Sequence, residues 1–153
     1  MKVEYINSFI KATSQVFKTI ANLDITVGKP YISASPFTAS NLVLIVGITG
    51  EIKGQAVIGL SEDTAKKLAS AMMMGMPVEA LDDMSKSALQ ELSNMIMGNS
   101  ATLLFNEGVV VDITPPSLMT GENIEVSTAS MKTISVPLHC SVGEVLLNIS
   151  SKE

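Results

Sequence analysis

Two side chains one helical turn apart carry the chemistry that this sequence offers. Glu91 and Asn94 stand three residues apart in the run Ser87-Ala88-Leu89-Gln90-Glu91-Leu92-Ser93-Asn94. A carboxamide presents an acceptor oxygen and two N–H donors on one rigid plane. It cannot act as a general base, yet it can hold a water in line for attack, as the glutamine of GTPases does. A carboxylate three residues away can pair with a lysine on a partner and fix the docking register. That division of labour makes sense where the partner supplies metal and electrophile, and this chain supplies the oriented water.

Other chemistries find little support. His139 and Cys140 are the only histidine and the only cysteine. As neighbours in a strand they point to opposite faces, so they form no thiolate–imidazolium pair. No cluster has metal-ligand spacing. There is no phosphate loop of the GxxxxGK type, and Gly47-Ile48-Thr49-Gly50 reads as turn chemistry. Nucleophilic and metal-dependent hydrolysis by this chain alone are unsupported.

Glu91 and Asn94 must be positioned by a long helix over residues 83–106. With Ser87 at zero and roughly 100° per residue, Glu91 falls near about 40° and Asn94 near about −20°. Leu89, Leu92, Ile96 and Leu103 fall between about 140° and 200° and form the core face. Ser87, Glu91 and Asn94 then form an exposed polar ladder, which Gly98 and Ala101 extend with almost no side chain. A wet face alone would account for Glu and Asn. Asn is a poor helix former, however, and an interior glycine costs about 1 kcal/mol relative to alanine. Two unfavourable choices on one face point to a role in which another protein comes close.

At 153 residues, 46% hydrophobic and 16% charged, the chain reads as one globular domain over residues 1–153. No apolar run reaches the length of a membrane span, and no signal peptide is visible. A single cysteine excludes an intramolecular disulfide and fits a reducing cytoplasm. A net charge of −5 without a Lys/Arg cluster argues against nucleic-acid and anionic-membrane partners. Of the ten methionines, Met72, Met73, Met74 and Met76 crowd one segment and are expected mainly in the core.

Residues 4–20 read as an amphipathic helix. Residues 23–27 and 31–34 are strand-like pieces about a Gly28-Lys29-Pro30 turn. Residues 41–48 and 55–60 form a hairpin about Thr49-Gly50-Glu51-Ile52-Lys53-Gly54. Ser61 or Asp63 caps a helix over residues 64–74, and Asp82 and Asp83 cap the long helix. That helix stops where Gly108 can take a left-handed conformation. Strands follow over residues 109–113, 124–130, 133–140 and 144–149, with Thr114-Pro115-Pro116 ending the first.

The halves resemble each other. Leu23-Asp24-Ile25-Thr26 matches Val111-Asp112-Ile113-Thr114 at an offset of 88, and the segment from Gly54 matches that from Gly143 at 89. Glu4 and Asn7 match Glu91 and Asn94 at an offset of 87. A helix–strand–hairpin unit used twice, over residues 1–76 and 80–153, is expected. The fold class is α+β, with helices on one face of a mostly antiparallel sheet.

Ser87, Glu91 and Asn94, followed by Val111-Asp112-Ile113-Thr114-Pro115-Pro116, resemble the signature of the CheC/CheX/FliY family of chemotaxis phosphatases. Pro116 comes one residue short of the family's spacing. The chain length, single long motif helix, Gly47-to-Gly50 turn and Met-rich residues 71–76 look most like the CheX members. The resemblance implies hydrolysis of the aspartyl phosphate of a CheY-like response regulator. Asn94 would orient the attacking water and Glu91 would contact the regulator's active-site lysine. Ser87 and Gly98 would lie against the regulator. The chain would need no cofactor of its own, Mg²⁺ belonging to the regulator, and CheX-type members are expected to form homodimers. Glu4 and Asn7, with Pro30 after 22 residues, keep part of the pattern and read as an inactive relic of duplication. The alternatives are a binding module that docks on a receiver without hydrolysis, and a dimer scaffold whose Met-rich surface is the interface.

Overall fold

The computed structural model describes residues 1–128 and 130–152. Helix α1 (Val3–Ala21) buries Ile6, Phe9, Val16 and Phe17 at helical spacing. It ends at Asn22, whose left-handed conformation (φ 54°) lets its own N–H return to the Lys18 carbonyl and the Leu23 N–H return to the Phe17 carbonyl. Helix α2 (Glu62–Met72) starts at Ser61, whose Oγ accepts from the Thr64 N–H at 3.1 Å. Ser61, not Asp63, is therefore the cap. Helix α3 (Asp83–Asn106) starts at Asp82, whose carboxylate accepts from the Ser85 N–H at 2.9 Å and the Ser85 hydroxyl at 2.8 Å. Beyond its end, Gly108 takes φ +85°.

The strands are β1 (Thr26–Val27), β2 (Tyr31–Ser33), β3 (Phe37–Thr38), β4 (Leu42–Gly50), β5 (Gly54–Leu60), β6 (Val111–Ile113), β7 (Ser117–Thr120), β8 (Glu125–Val126), β9 (Lys132–Cys140) and β10 (Gly143–Ser151). Eight form one antiparallel sheet in the order β1-β9-β10-β5-β4-β6, with β2 also on β9 and β7 also on β4. The order reads alike from either edge. β1 and β2 of the first half pair with β9 of the second, as β6 and β7 of the second pair with β4 of the first. Two copies of one helix–strand–hairpin unit would exchange partners in this way.

Alternation along the strands separates two faces. Leu42, Leu44, Val46, Ile48, Ala56, Ile58, Leu60, Val136, Leu138, Val145, Leu147 and Ile149 pack with the three helices into the main core. On the other face Val43 and Val57 are covered by Phe37 and Val126 of the β3–β8 ribbon. A buried polar chain lies on that side. Asn148 donates to the Val57 carbonyl at 3.1 Å and accepts from the Ser135 hydroxyl at 2.6 Å, and Ser135 meets Ser33.

Several expectations need correction. Gly47 to Gly50 belong to β4 rather than to a turn, which is confined to residues 51–53. The first strand shrinks from residues 23–27 to two residues. The strand expected over 124–130 shrinks to Glu125–Val126, and its Ala129 lies outside the described residues. β7 went unanticipated, because an adjacent Leu118-Met119 pair between Ser117 and Thr120, beside two prolines, gives no apolar alternation. Met72 and Met73 pack on the core, but Met74 is 98% exposed and Met76 58%. The positive φ of Met74 (58°) and Gly75 (85°) turns the chain outward there. Leu103 is half-buried while Leu104 is buried, because the buried stripe drifts from Leu92 and Ile96 to Met97, Ser100 and Leu104 along α3. Such drift is what a helix crossing its neighbours obliquely produces.

Candidate active site on the exposed face of α3

Leu89, Leu92 and Ile96 are fully buried, and this anchoring turns Ser87, Glu91 and Asn94 outward, where all three are exposed. Together with Gln90 they line an open pocket whose far wall is Pro115 and Pro116. The downstream proline segment is thus brought beside the carboxylate and the carboxamide. Gly98 also lies on this side, and beyond its chain neighbours and the helix's own backbone nothing stands within 4 Å of where its Cβ would be.

Three contacts hold the proline wall. Thr114 and Gly47 clamp each other: the Thr114 N–H donates to the Gly47 carbonyl at 3.0 Å, and the Gly47 N–H donates to Thr114 Oγ1 at 2.8 Å. A Cβ on Gly47 would stand 3.2 Å from Thr114 Cγ2, so the absence of a side chain permits this approach. On the helix side, Gln90 Nε2 donates to the Pro116 carbonyl at 3.3 Å. Sequence reasoning missed Gln90, Gly47 and Thr114 as supports of the pocket. The short β6 that delivers Thr114 was visible as a strand, but its pairing with β4 was not.

Among the described residues, Glu91 and Asn94 have no hydrogen-bonding or ionic partner within the chain. The carboxamide is therefore available to a water and the carboxylate to a cation from outside. Glu4 and Asn7 do not join them. They line a separate groove with Lys11, Leu103, Asn106 and Glu107, between α1 and α3, and its lining contains no proline. Pro30, which follows the Glu4/Asn7 pair in sequence, is not brought to it.

His139 Nδ1 lies 3.9 Å from Glu144 Oε2, and Cys140 Sγ donates to the Gly143 carbonyl at 3.4 Å. The two side chains have different partners and form no dyad. Among the described residues, no group of three or more His, Cys, Asp or Glu side chains is placed to hold a metal.

The family model described as chemotaxis phosphatase CheX matches residues 42–139, which include α3, the proline wall and most of the sheet. A curated relative, CheY-P phosphatase CheX of Thermotoga maritima, is 34% identical over 128 residues, covering 84% of this chain and 83% of that one. A CheC-like superfamily protein from Shewanella sp. PV-4 superposes with a TM-score of 0.90 at 25% identity, covering 100% of both chains. The CheX-CheY-BeF3-Mg²⁺ complex of Borrelia burgdorferi matches with a TM-score of 0.85 at 30% identity, covering 99% of this chain and 100% of that one.

Proposed function

This chain belongs to the CheX family of chemotaxis phosphatases, and from that premise we propose that it hydrolyses the aspartyl phosphate of a CheY-like response regulator. The observation that carries the residue assignment is the shared pocket of Glu91, Asn94 and the proline wall. Asn94 accepts a hydrogen bond from a water and aims its lone pair at phosphorus, opposite the aspartyl oxygen. The new P–O bond forms as the bond to the aspartyl oxygen breaks. Carboxylate and inorganic phosphate result, and the water's protons pass to phosphate and solvent, since an amide cannot hold them. Glu91 pairs with the regulator's active-site lysine and sets the register in which that water is in line. Ser87 and Gly98 bound the contact, glycine allowing the closest approach.

The chain brings no cofactor in this reading, and Mg²⁺ belongs to the regulator, where it offsets charge on the transferring group. We place the protein in the cytoplasm, which a single free cysteine fits. No helix among the described residues is long and apolar enough to cross a membrane. The family reading also makes the working unit a homodimer, which mass in solution tests. Glu4 and Asn7 are assigned no turnover, because their groove lacks the proline wall.

The deciding experiment follows decay of a phosphorylated receiver with wild-type protein and with Asn94→Ala. Losing the water-positioning group is expected to lower turnover about 100-fold, the scale of a misplaced reactant, with receiver binding retained. Tight binding by the wild type without faster decay would overturn the enzyme reading and leave a docking module.

A further inference from the structure

The exposed face of α3 does not stop at the polar ladder. Met84 and Phe105 are each 65% exposed, large and apolar. On the same wheel Met84 falls near about 60° and Phe105 near about 0°, within the sector of Ser87, Glu91, Asn94 and Gly98. The stripe is therefore apolar at both ends and polar in the middle. At 1.5 Å per residue, Met84 lies about 15 Å to one side of Asn94 and Phe105 about 16 Å to the other. Nearly equal spans bracket the carboxamide, and the whole stripe is about 30 Å long, the width of a small domain.

We propose that Met84 and Phe105 are paired apolar anchors on which the phosphorylated receiver seats, holding its phosphoryl group over Asn94. This rests on the phosphatase reading above and goes beyond it by assigning the affinity for the regulator to two residues outside the Glu/Asn motif. The physical case is a division of tasks. The middle of the stripe must stay polar to hold a water and meet a lysine, so it can bury little apolar area against the partner. An open face with a glycine in it, continuous at both ends with unburied Met and Phe side chains, leaves the anchoring to those ends. Interface energy commonly concentrates in a few side chains, aromatic residues and methionine are enriched at interface cores, and methionine's flexible thioether adapts to an irregular partner surface.

The test measures kcat and KM for decay of a phosphorylated receiver, at varied receiver concentration, for Met84→Ala, Phe105→Ala, the double variant and Met74→Ala. Met74 is more exposed still but lies off α3, beyond the end of α2, so it reports any general effect of removing a surface methionine. Each anchor variant is expected to raise KM about tenfold with kcat within twofold, the double variant more, and Met74→Ala not at all. A KM unchanged in both anchor variants overturns the proposal, as does an equal rise in Met74→Ala. If the anchor variants change the chain's mass in solution and leave KM alone, the stripe seats a second copy instead, which also overturns it. Failure of the phosphatase reading is read separately, from the absence of wild-type turnover despite receiver binding.

Discussion

At the scale of single residues, the proposed site separates orientation from attraction. Asn94 can only orient, because a neutral amide neither takes a proton nor carries charge. Glu91 can only attract, and on an open face its attraction is exposed to screening. That predicts a difference in salt response. In wild-type protein KM for the phosphorylated receiver should rise as ionic strength passes about 0.1 M, where the Debye length falls to about 10 Å. With Glu91→Ala, KM should be higher at low salt and its salt slope flatter. Identical slopes for the two proteins would remove the ion pair from the account. Gln90 belongs at this scale too. Its hydrogen bond to Pro116 joins the proline wall to the helix turn that carries Glu91.

Among the elements, α3 matters most, and its start fixes the phase in which the stripe faces outward. The Asp82 carboxyl is held below its usual range, chiefly by the hydrogen bond from the Ser85 N–H and then by the Ser85 hydroxyl. A lowered folded-state value means that the contribution is present above the unfolded-state value, roughly pH 4, and is lost as pH falls through the folded one. Asp82→Asn keeps an acceptor oxygen and removes the charge. Thermal melts should show the variant below wild type at pH 7 and the gap narrowing as pH falls below about 4. A gap that persists undiminished at pH 3 would assign the cap to shape alone. The same element shows how far periodicity reaches. Leu89, Leu92 and Ile96 were placed correctly from Ser87, but about two turns beyond Ile96 the extrapolation chose Leu103 where the packing chose Leu104. Periodicity on one helix says nothing of the angle at which that helix crosses its neighbours.

For the whole molecule, the seam between β5 and β10 joins the two halves of the sheet. Asn148 sits on that seam and is fully buried. Its donor serves β5 through the Val57 carbonyl, and its acceptor serves β9 through Ser135. Asn148→Ala would take the amide donor from the Val57 carbonyl, while the Ser135 hydroxyl keeps Ser33 as its partner. Leaving one buried polar group without its partner costs about 1–3 kcal/mol, so the variant should lose about 2 kcal/mol in urea unfolding. A loss below about 1 kcal/mol would mean that the seam relaxes or admits water. The α3 pocket stands on the opposite, helix-covered side of the sheet, so the surviving folded protein should keep its turnover.

The long helix, its two caps, the hairpins and the outward ladder of Ser87, Glu91 and Asn94 were all legible in the sequence. Each is set by local rules: apolar period, a capping side chain, glycine past a helix end. The family signature was legible for the same reason, since Ser87, Glu91 and Asn94 lie within about two turns of one helix. What only the tertiary structure decided is long-range. Pro115 and Pro116 close the pocket because Thr114 clamps Gly47, a residue far away in sequence, and because Gln90 reaches the Pro116 carbonyl. Glu4 and Asn7, equally legible as a pair, face another groove without a proline wall. A pocket between elements forms where the chain brings distant segments together, and local periodicity carries no information on that meeting.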